Sequence, residues 1–417
     1  MSAAMYGLPA PEDRKTDPTF KGHNKSDIAS GSLRIDWDIA ESLKLTSTTT
    51  YRKLEFKMAS DYDFYQPTFL HWYNNGNQSK CSEELRVSQS LDSIKWVAGI
   101  YGDKDELFSD NRIDSVIPGM AMHTKDNLDG KSISGFGHVS VPVGYNFSVL
   151  GGLRYDYQEK DFESAQFSIS LEDHWDEFSP KIGVEYQVTP TSMTYFTASK
   201  GYLSGGFNAY ADQVEYMTYD EEKLWSYEIG TKNTFFSNRL ILDCAVYYMD
   251  IHDVQVHEML TAARSYRTNA AKATGKGFEI SLSAIPLRGL TLKTGFGYSD
   301  VEFDEFKDAA GDYKGNKKPY APEYSFNVVA QYRSMAGFYC EEAVIGYGAM
   351  YTDKANKYER DPYQLVNAKI GYETERFDVY LYGKNIFDAT YDSIYGDGFY
   401  MNYSEPAEAG VAVTYRF

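Results

Sequence analysis

The C-terminal end of the chain places the tightest constraint on its fold. Ala409, Val411, Val413, Tyr415 and Phe417 alternate with Gly410, Ala412, Thr414 and Arg416, and the chain stops on the aromatic. Strand side chains point alternately to opposite faces, so this segment carries one apolar face and one small or polar face. The design recurs upstream. Phe147, Val149, Gly151, Leu153 and Tyr155 oppose Ser148, Gly152, Arg154 and Asp156. Leu290, Leu292, Thr294, Phe296 and Tyr298 oppose Lys293, Gly295 and Gly297, while Phe377, Val379 and Leu381 oppose Asp378, Tyr380 and Tyr382. Repeated this often, the pattern describes a barrel whose apolar face is turned outward into lipid.

Composition supports that choice indirectly. The chain has 417 residues and a mean hydropathy of -0.50. No stretch reaches the roughly 20 continuous apolar residues of a membrane-spanning helix. A membrane barrel escapes hydropathy because only every second residue meets lipid. The 37 Tyr, 24 Phe and 5 Trp suit girdles at the two membrane interfaces, where a ring packs while its polar atom stays wet. A soluble Tyr-rich sandwich is the competing reading. The net charge of -19 argues against nucleic acid as a partner. Cys81, Cys244 and Cys340 have neither disulfide-framework nor metal spacing, and Cys244 falls on an apolar strand face as a small hydrophobe. Met1 to Lys25 lacks the basic and apolar blocks of a secretory signal, so the expectation is a mature form or a fragment.

The alternation places strands at 27–40, 43–62, 79–91, 93–112, 131–143, 145–164, 175–188, 192–207, 222–236, 239–257, 265–285, 289–305, 323–334, 338–353, 363–374, 376–390 and 407–417. Short turns (Pro190-Thr191, Ser237-Asn238, Pro286 to Arg288, Ala336-Gly337) take turns with long loops (Tyr62 to Gln78, Asp114 to Gly130, Asn208 to Glu221, Phe306 to Glu323). Segregating short turns to one end and long loops to the other is the arrangement of an outer-membrane barrel.

Three stretches, in order, resemble the TonB-dependent outer-membrane receptors. They are Ser199-Lys200-Gly201-Tyr202-Leu203-Ser204-Gly205-Gly206-Phe207-Asn208 with Glu221 to Lys232, then Ala273 to Glu279, then Tyr382-Gly383-Lys384-Asn385-Ile386-Phe387-Asp388 with Tyr391 and the terminal Tyr415-Arg416-Phe417. The resemblance covers about Ile28 to Phe417 and implies an all-β antiparallel transmembrane barrel. About seventeen of the family's roughly 22 strands are represented. It also implies uptake of ferric siderophores or similar ligands, energised by the TonB complex, and recognition of Phe417 by the barrel assembly machinery. Outer-membrane lipid is the surrounding partner; no cofactor is implied. On this reading residues 1–417 form the C-terminal portion of the barrel, 1–26 are the remainder of an extracellular loop, and the plug and TonB-contacting segment are missing. Ala407 stands where relatives often carry Arg. With the first and last strands both running toward the short turns, the usual seam is not expected to close. A truncated or split receptor is therefore expected.

Ligand contact is expected, if anywhere, from aromatic and polar residues on the outer loops: Trp72, Tyr73, Phe207, Asn208, Tyr210 and Tyr216. They are equally readable as girdle residues. Lys200, Gly201, Tyr202, Gly205, Gly206, Asn385, Phe387, Asp388 and Phe417 read as structural family positions. His252 and His257, five apart on a strand, face opposite ways and cannot share a metal. The carboxylates Asp304, Glu305, Asp308 and Asp312 lack calcium-loop spacing and read as solvated loop charge. GxSxG, HExxH and phosphate-loop motifs are absent, so no metal site and no enzyme activity is expected. The alternatives to a siderophore transporter are a passive porin-like barrel or remnant, or a receptor for cobalamin, haem or oligosaccharide.

Overall fold

A computed structural model describes residues 20–61, 70–91, 94–116, 120–208, 216–261, 264–308, 310–396 and 400–417. In chain order the strands begin with β1 (His23–Ala40), β2 (Leu43–Asp61), β3 (Leu70–Ser90), β4 (Lys95–Ser115), β5 (Met122–Gly144) and β6 (Phe147–Ser164). β7 (Ile169–Thr189), β8 (Ser192–Leu203), β9 (Gly206–Phe207), β10 (Thr218–Tyr219), β11 (Glu222–Phe235) and β12 (Leu240–Thr261) follow. Next come β13 (Arg264–Leu287), β14 (Leu290–Asp308), β15 (Gly311–Asp312), β16 (Tyr324–Arg333), β17 (Phe338–Tyr347) and β18 (Met350–Tyr351). The last are β19 (Glu359–Arg360), β20 (Tyr363–Glu373), β21 (Phe377–Lys384), β22 (Asp392–Gly396), β23 (Tyr400–Tyr403) and β24 (Glu408–Tyr415). An 18-stranded antiparallel sheet holds the seventeen long strands and the two-residue β15. The long strands match the expected ones in number and order.

Alternation sorts the sheet into two faces. On β5, Ile133, Val139 and Val143 are 61 %, 37 % and 61 % exposed, whereas Ser134 on the opposite face is 3 % exposed. The apolar stretch from Ile133 to Val143 matches the roughly 9–11 residues that cross a bilayer. Lys131 ends it, and its register partner Lys104 ends the band on β4. The inner face is held by polar pairs. Arg154 donates to Asp156 at 2.8 Å and to Ser134 at 2.8 Å, and Arg416 reaches Asp378 at 3.1 Å. The short turns are tight: Tyr145 and Asn146 have φ of 49° and 67°, the left-handed pair of a two-residue hairpin.

Three features differ from the sequence reading. The expected loops at Tyr62 to Gln78 and Asp114 to Gly130 are largely strand, since β3 starts at Leu70 and β5 at Met122. These hairpins keep pairing above the membrane, where both faces are wet and no apolar alternation marks them. β1 starts at His23, so part of the expected loop remnant is strand, while residues 1–19 lie outside the described residues. β8, β17 and β21 also end earlier than expected, at Leu203, Tyr347 and Lys384.

Among the described strands β1 pairs with β2 alone and β24 with β21 alone, and no pairing joins β1 to β24. Both run toward the short-turn end, so joining them directly would need a parallel ladder.

Candidate functional site

The outer mouth, where strands overrun the membrane, is built from two packed regions. In the first, the Lys200 to Asn208 stretch leaves β8 and closes a small hairpin: β9 pairs Gly206 with Tyr219 and Phe207 with Thr218. Phe207 stacks on Phe162 at 5.8 Å and meets Trp175 edge-on at 6.0 Å. Gly205 has no alternative here, because a Cβ would overlap the Trp175 ring and the Tyr219 carbonyl. Asn208 donates to the carbonyls of Tyr216 at 2.7 Å and Arg267 at 2.8 Å and accepts from the Arg267 N–H at 2.8 Å, tying the connection to β13. Tyr216 packs on Tyr266 at 4.5 Å. Lys160 donates to Ser204 Oγ at 3.0 Å and the Gly205 carbonyl at 2.8 Å, with its ammonium 5.1 Å from the Trp175 ring. Burial holds its pKa below the ordinary lysine value. Below it, Glu177 accepts from Lys200 at 2.6 Å and lies 3.6 Å from Lys223.

The second region caps the outer ends of β12, β13 and β14. Ile251, Val254, Val256, Ala271, Ala273, Phe303, Phe306 and Tyr313 form a buried apolar core. The connections 310–323 and 348–362 dock on it and on each other. Asn316 donates to the Lys354 carbonyl at 2.9 Å, and Asn356 accepts from the Lys317 N–H at 2.7 Å and returns a bond to its carbonyl at 3.0 Å. Lys354 joins the carboxylates of Glu258 and Asp308 and lies 5.5 Å and 5.3 Å from the rings of Phe306 and Tyr313. Burial opposes its charge, but the two carboxylates outweigh it and its pKa rises; Asp308 shifts down, burial again being outweighed by Lys354 and the N–H groups of Ala310 and Gly311. A cavity of about 290 Å3 opens beside this cluster, walled by Phe303 and Phe306 with His257, Lys318, Tyr320 and Asp353 around it.

The structure thus separates the expected contact residues. Phe207, Asn208 and Tyr216 come together; Tyr210 lies outside the described residues. Trp72 and Tyr73 sit on β3 rather than on a loop, on opposite faces: Trp72 bonds Asn111, while Tyr73 packs under Arg112 at 4.4 Å and beside Phe20 at 6.1 Å. They cannot face one ligand together. Asp308 is not solvated loop charge, since Lys354, two backbone N–H groups and Tyr313 all reach it. β12 is irregular between the two histidines, with bulges around Val254 and φ of 54° at Asp253, so strand parity does not govern their faces. His252 pairs with Asp250 at 3.2 Å and His257 lines the cavity. At the other motif, Asn385 (φ 46°) accepts from the Ala389 N–H at 2.8 Å and donates to the Ala389 and Glu405 carbonyls at 3.0 and 3.2 Å. Asp388 accepts from the Ala407 N–H at 2.9 Å, and Phe387 and Phe417 are exposed. The Lys354 cluster escaped sequence reading altogether, because Glu258 and Lys354 are 96 residues apart and neither lies in a motif.

An outward apolar band, a polar lumen and docked loops at one end define a transmembrane β-barrel of the outer-membrane type. The family model for the TonB-dependent receptor-like β-barrel matches residues 4–386, and the chain belongs to that family, whose members lie in the outer membrane of Gram-negative bacteria. It is 23 % identical over 335 residues to the catecholate siderophore receptor Fiu of Escherichia coli K12, covering 70 % of this chain and 43 % of that one. It is 26 % identical over 290 residues to the ferric-pyoverdine M114 receptor PbuA of Pseudomonas sp. M114, covering 64 % and 34 %. The fold superposes on the siderophore receptor PiuA of Acinetobacter baumannii with a TM-score of 0.80 at 17 % identity, covering 97 % of this chain and 67 % of that one. The ferric yersiniabactin uptake receptor FyuA of Yersinia pestis gives 0.79 at 18 %, covering 95 % and 62 %. The chain therefore spans less than half the length of these two curated relatives.

Proposed function

We propose that this chain is the larger, C-terminal part of a barrel that imports a ferric siderophore under TonB control, with the plug and the closing strands supplied from outside the sequence described. The observation that carries this is the outer mouth: two loop regions, firmly docked and rich in aromatic side chains, stand above a polar lumen. Such a mouth suits selective capture better than open diffusion. Relatives named as siderophore receptors support the ligand class. We place ligand contact at the cavity beside Phe303 and Phe306 and at Phe207, Asn208 and Tyr216. Phe417 would serve as the signal read during barrel assembly. An odd number of further strands would meet β1 and β24, each in antiparallel pairing.

Uptake of radiolabelled ferric siderophores by iron-starved cells tests the reading. Deleting the gene should abolish uptake of at least one complex, and excess unlabelled complex should compete in the parent strain. Unchanged uptake would defeat the transporter assignment. The second reading, a passive barrel, rests on the two sheet edges, β1 and β24, that have no further strand partner among the described residues; it predicts steady ion conductance in planar bilayers without any energised partner.

A further inference from the structure

The outward face of β16 to β24 carries an isolated carboxylate. On β17, Phe338, Cys340, Glu342 and Val344 alternate outward. Glu342 pairs with Ala330 of β16 on one side and Ala368 of β20 on the other; Ala368 pairs with Gly383 of β21, and Gly383 with Ala409 of β24. Each flanking residue in this row is Ala or Gly. Side-chain bulk therefore falls away around the carboxylate, leaving a recess of about 640 Å3 bounded by Tyr332, Ile370, Leu381 and Ile386. Gly383 is needed for its shape, since a Cβ there would lie 2.6 Å from Ile386 Cγ2. Glu342 is exposed, and its carboxylate makes no hydrogen bond or ion pair with the described residues.

Depth decides what can answer this charge. Tyr332, Phe338, Tyr372, Phe377 and Tyr415 mark the aromatic girdle at the short-turn end. Glu342 lies four residues beyond Phe338 along β17. At about 3.3 Å per residue and a tilt near 40°, that is about 10 Å into the apolar band. An anion there, facing lipid, is unfavourable unless a cation meets it. We propose that the recess binds the primary ammonium of a phosphatidylethanolamine headgroup, drawn inward from the adjacent leaflet. Its N–H groups form charge-assisted hydrogen bonds to Glu342. The row of small residues admits the headgroup, and Ile370 and Leu381 pack along the acyl chain. The recess opens sideways into the bilayer, so the nearest lipid is the occupant that charge complementarity selects. A choline headgroup, having no N–H, satisfies the carboxylate less well. The inference rests on the outward face meeting lipid.

Native mass spectrometry of the full chain, released from vesicles of equal phosphatidylethanolamine, phosphatidylcholine and phosphatidylglycerol, tests it. Phosphatidylethanolamine should be retained several-fold more than phosphatidylcholine. Glu342→Gln should remove that preference, and Ala368→Phe, which fills the recess but keeps the carboxylate, should do the same. Equal retention by the unaltered chain, preferential retention of phosphatidylglycerol, or a preference that survives Glu342→Gln overturns the lipid assignment while leaving the barrel reading intact. Failure of the chain to float with vesicles overturns both.

Discussion

Two lysines at the outer mouth show how differently one charge can be housed. Lys354 sits between two carboxylates and over two rings, and it ties a pair of loops to β12 and β14. Lys160 sits over one ring with a hydroxyl and a carbonyl, and no carboxylate forms an ion pair with it among the described residues. The first region has an apolar core beneath a compensated charge; the second has aromatic packing beneath an uncompensated one. Opposite pKa directions follow from that contrast, upward for Lys354 and downward for Lys160. A cluster that gains from its charge resists opening, whereas one that tolerates it is the easier to release. We therefore expect the contacts of Phe207, Asn208 and Tyr216 to open more readily than those of the docked pair 310–323 and 348–362.

The sharpest way to break the contrast is to remove each lysine. Lys354→Met strands Glu258 and Asp308 partly buried without their cation, and should weaken the docked loops by about 3 kcal/mol. Hydrogen exchange of the amides of Asn316, Lys317 and Tyr358 reads that loss; unchanged protection would show that the apolar core alone holds the loops. Gly205→Ala forces a methyl against Trp175 and Tyr219 and should cost the other region about 2 kcal/mol, seen as faster exchange at Asn208. Asn208→Ala removes three hydrogen bonds, two to Arg267 of β13 and one to the Tyr216 carbonyl, and should cost about 1 kcal/mol by the same measurement. Lys160→Met strands no charge and should change stability by less than about 1 kcal/mol, in contrast to Lys354→Met.

The barrel itself was legible because lipid and water print opposite demands on alternate residues, as at Ile133, Val139 and Val143. Where both faces are wet the print vanishes, which is why Leu70 to Gln78 and Met122 to Gly130 read as loop although they belong to β3 and β5. Strand ends were legible only to within a few residues: the alternation carries β8 to 207, but it stops at Leu203, where Gly205 meets Trp175 and Tyr219, which the chain brings there from elsewhere. The mouth was least legible. Phe207, Asn208 and Tyr216 could be nominated from residue type and loop position, whereas Glu258 on β12, Asp308 at the end of β14 and Lys354 in the 348–362 connection are joined only by the fold. Trp72 and Tyr73 show the converse, since adjacent aromatics look like one patch until strand geometry parts them.

Alkaline pH gives the smallest effect and the cleanest test of sign. Lys354 has a folded pKa above its unfolded value, so its contribution is complete below about 10.4 and is lost as pH rises through the folded value. Lys160 has a folded pKa below its unfolded value, so between that lowered value and about 10.4 the unfolded chain binds more protons and stability rises with pH. Raising pH through that window should thus firm the Trp175 region before it loosens the Tyr313 region. Fluorine-labelled Trp175 and Tyr313, followed during urea-induced opening, report the two separately. Parallel loosening of both would mean that Lys160 is compensated in solution by a carboxylate, with Asp173, its register partner on β7, the first to examine by Asp173→Asn.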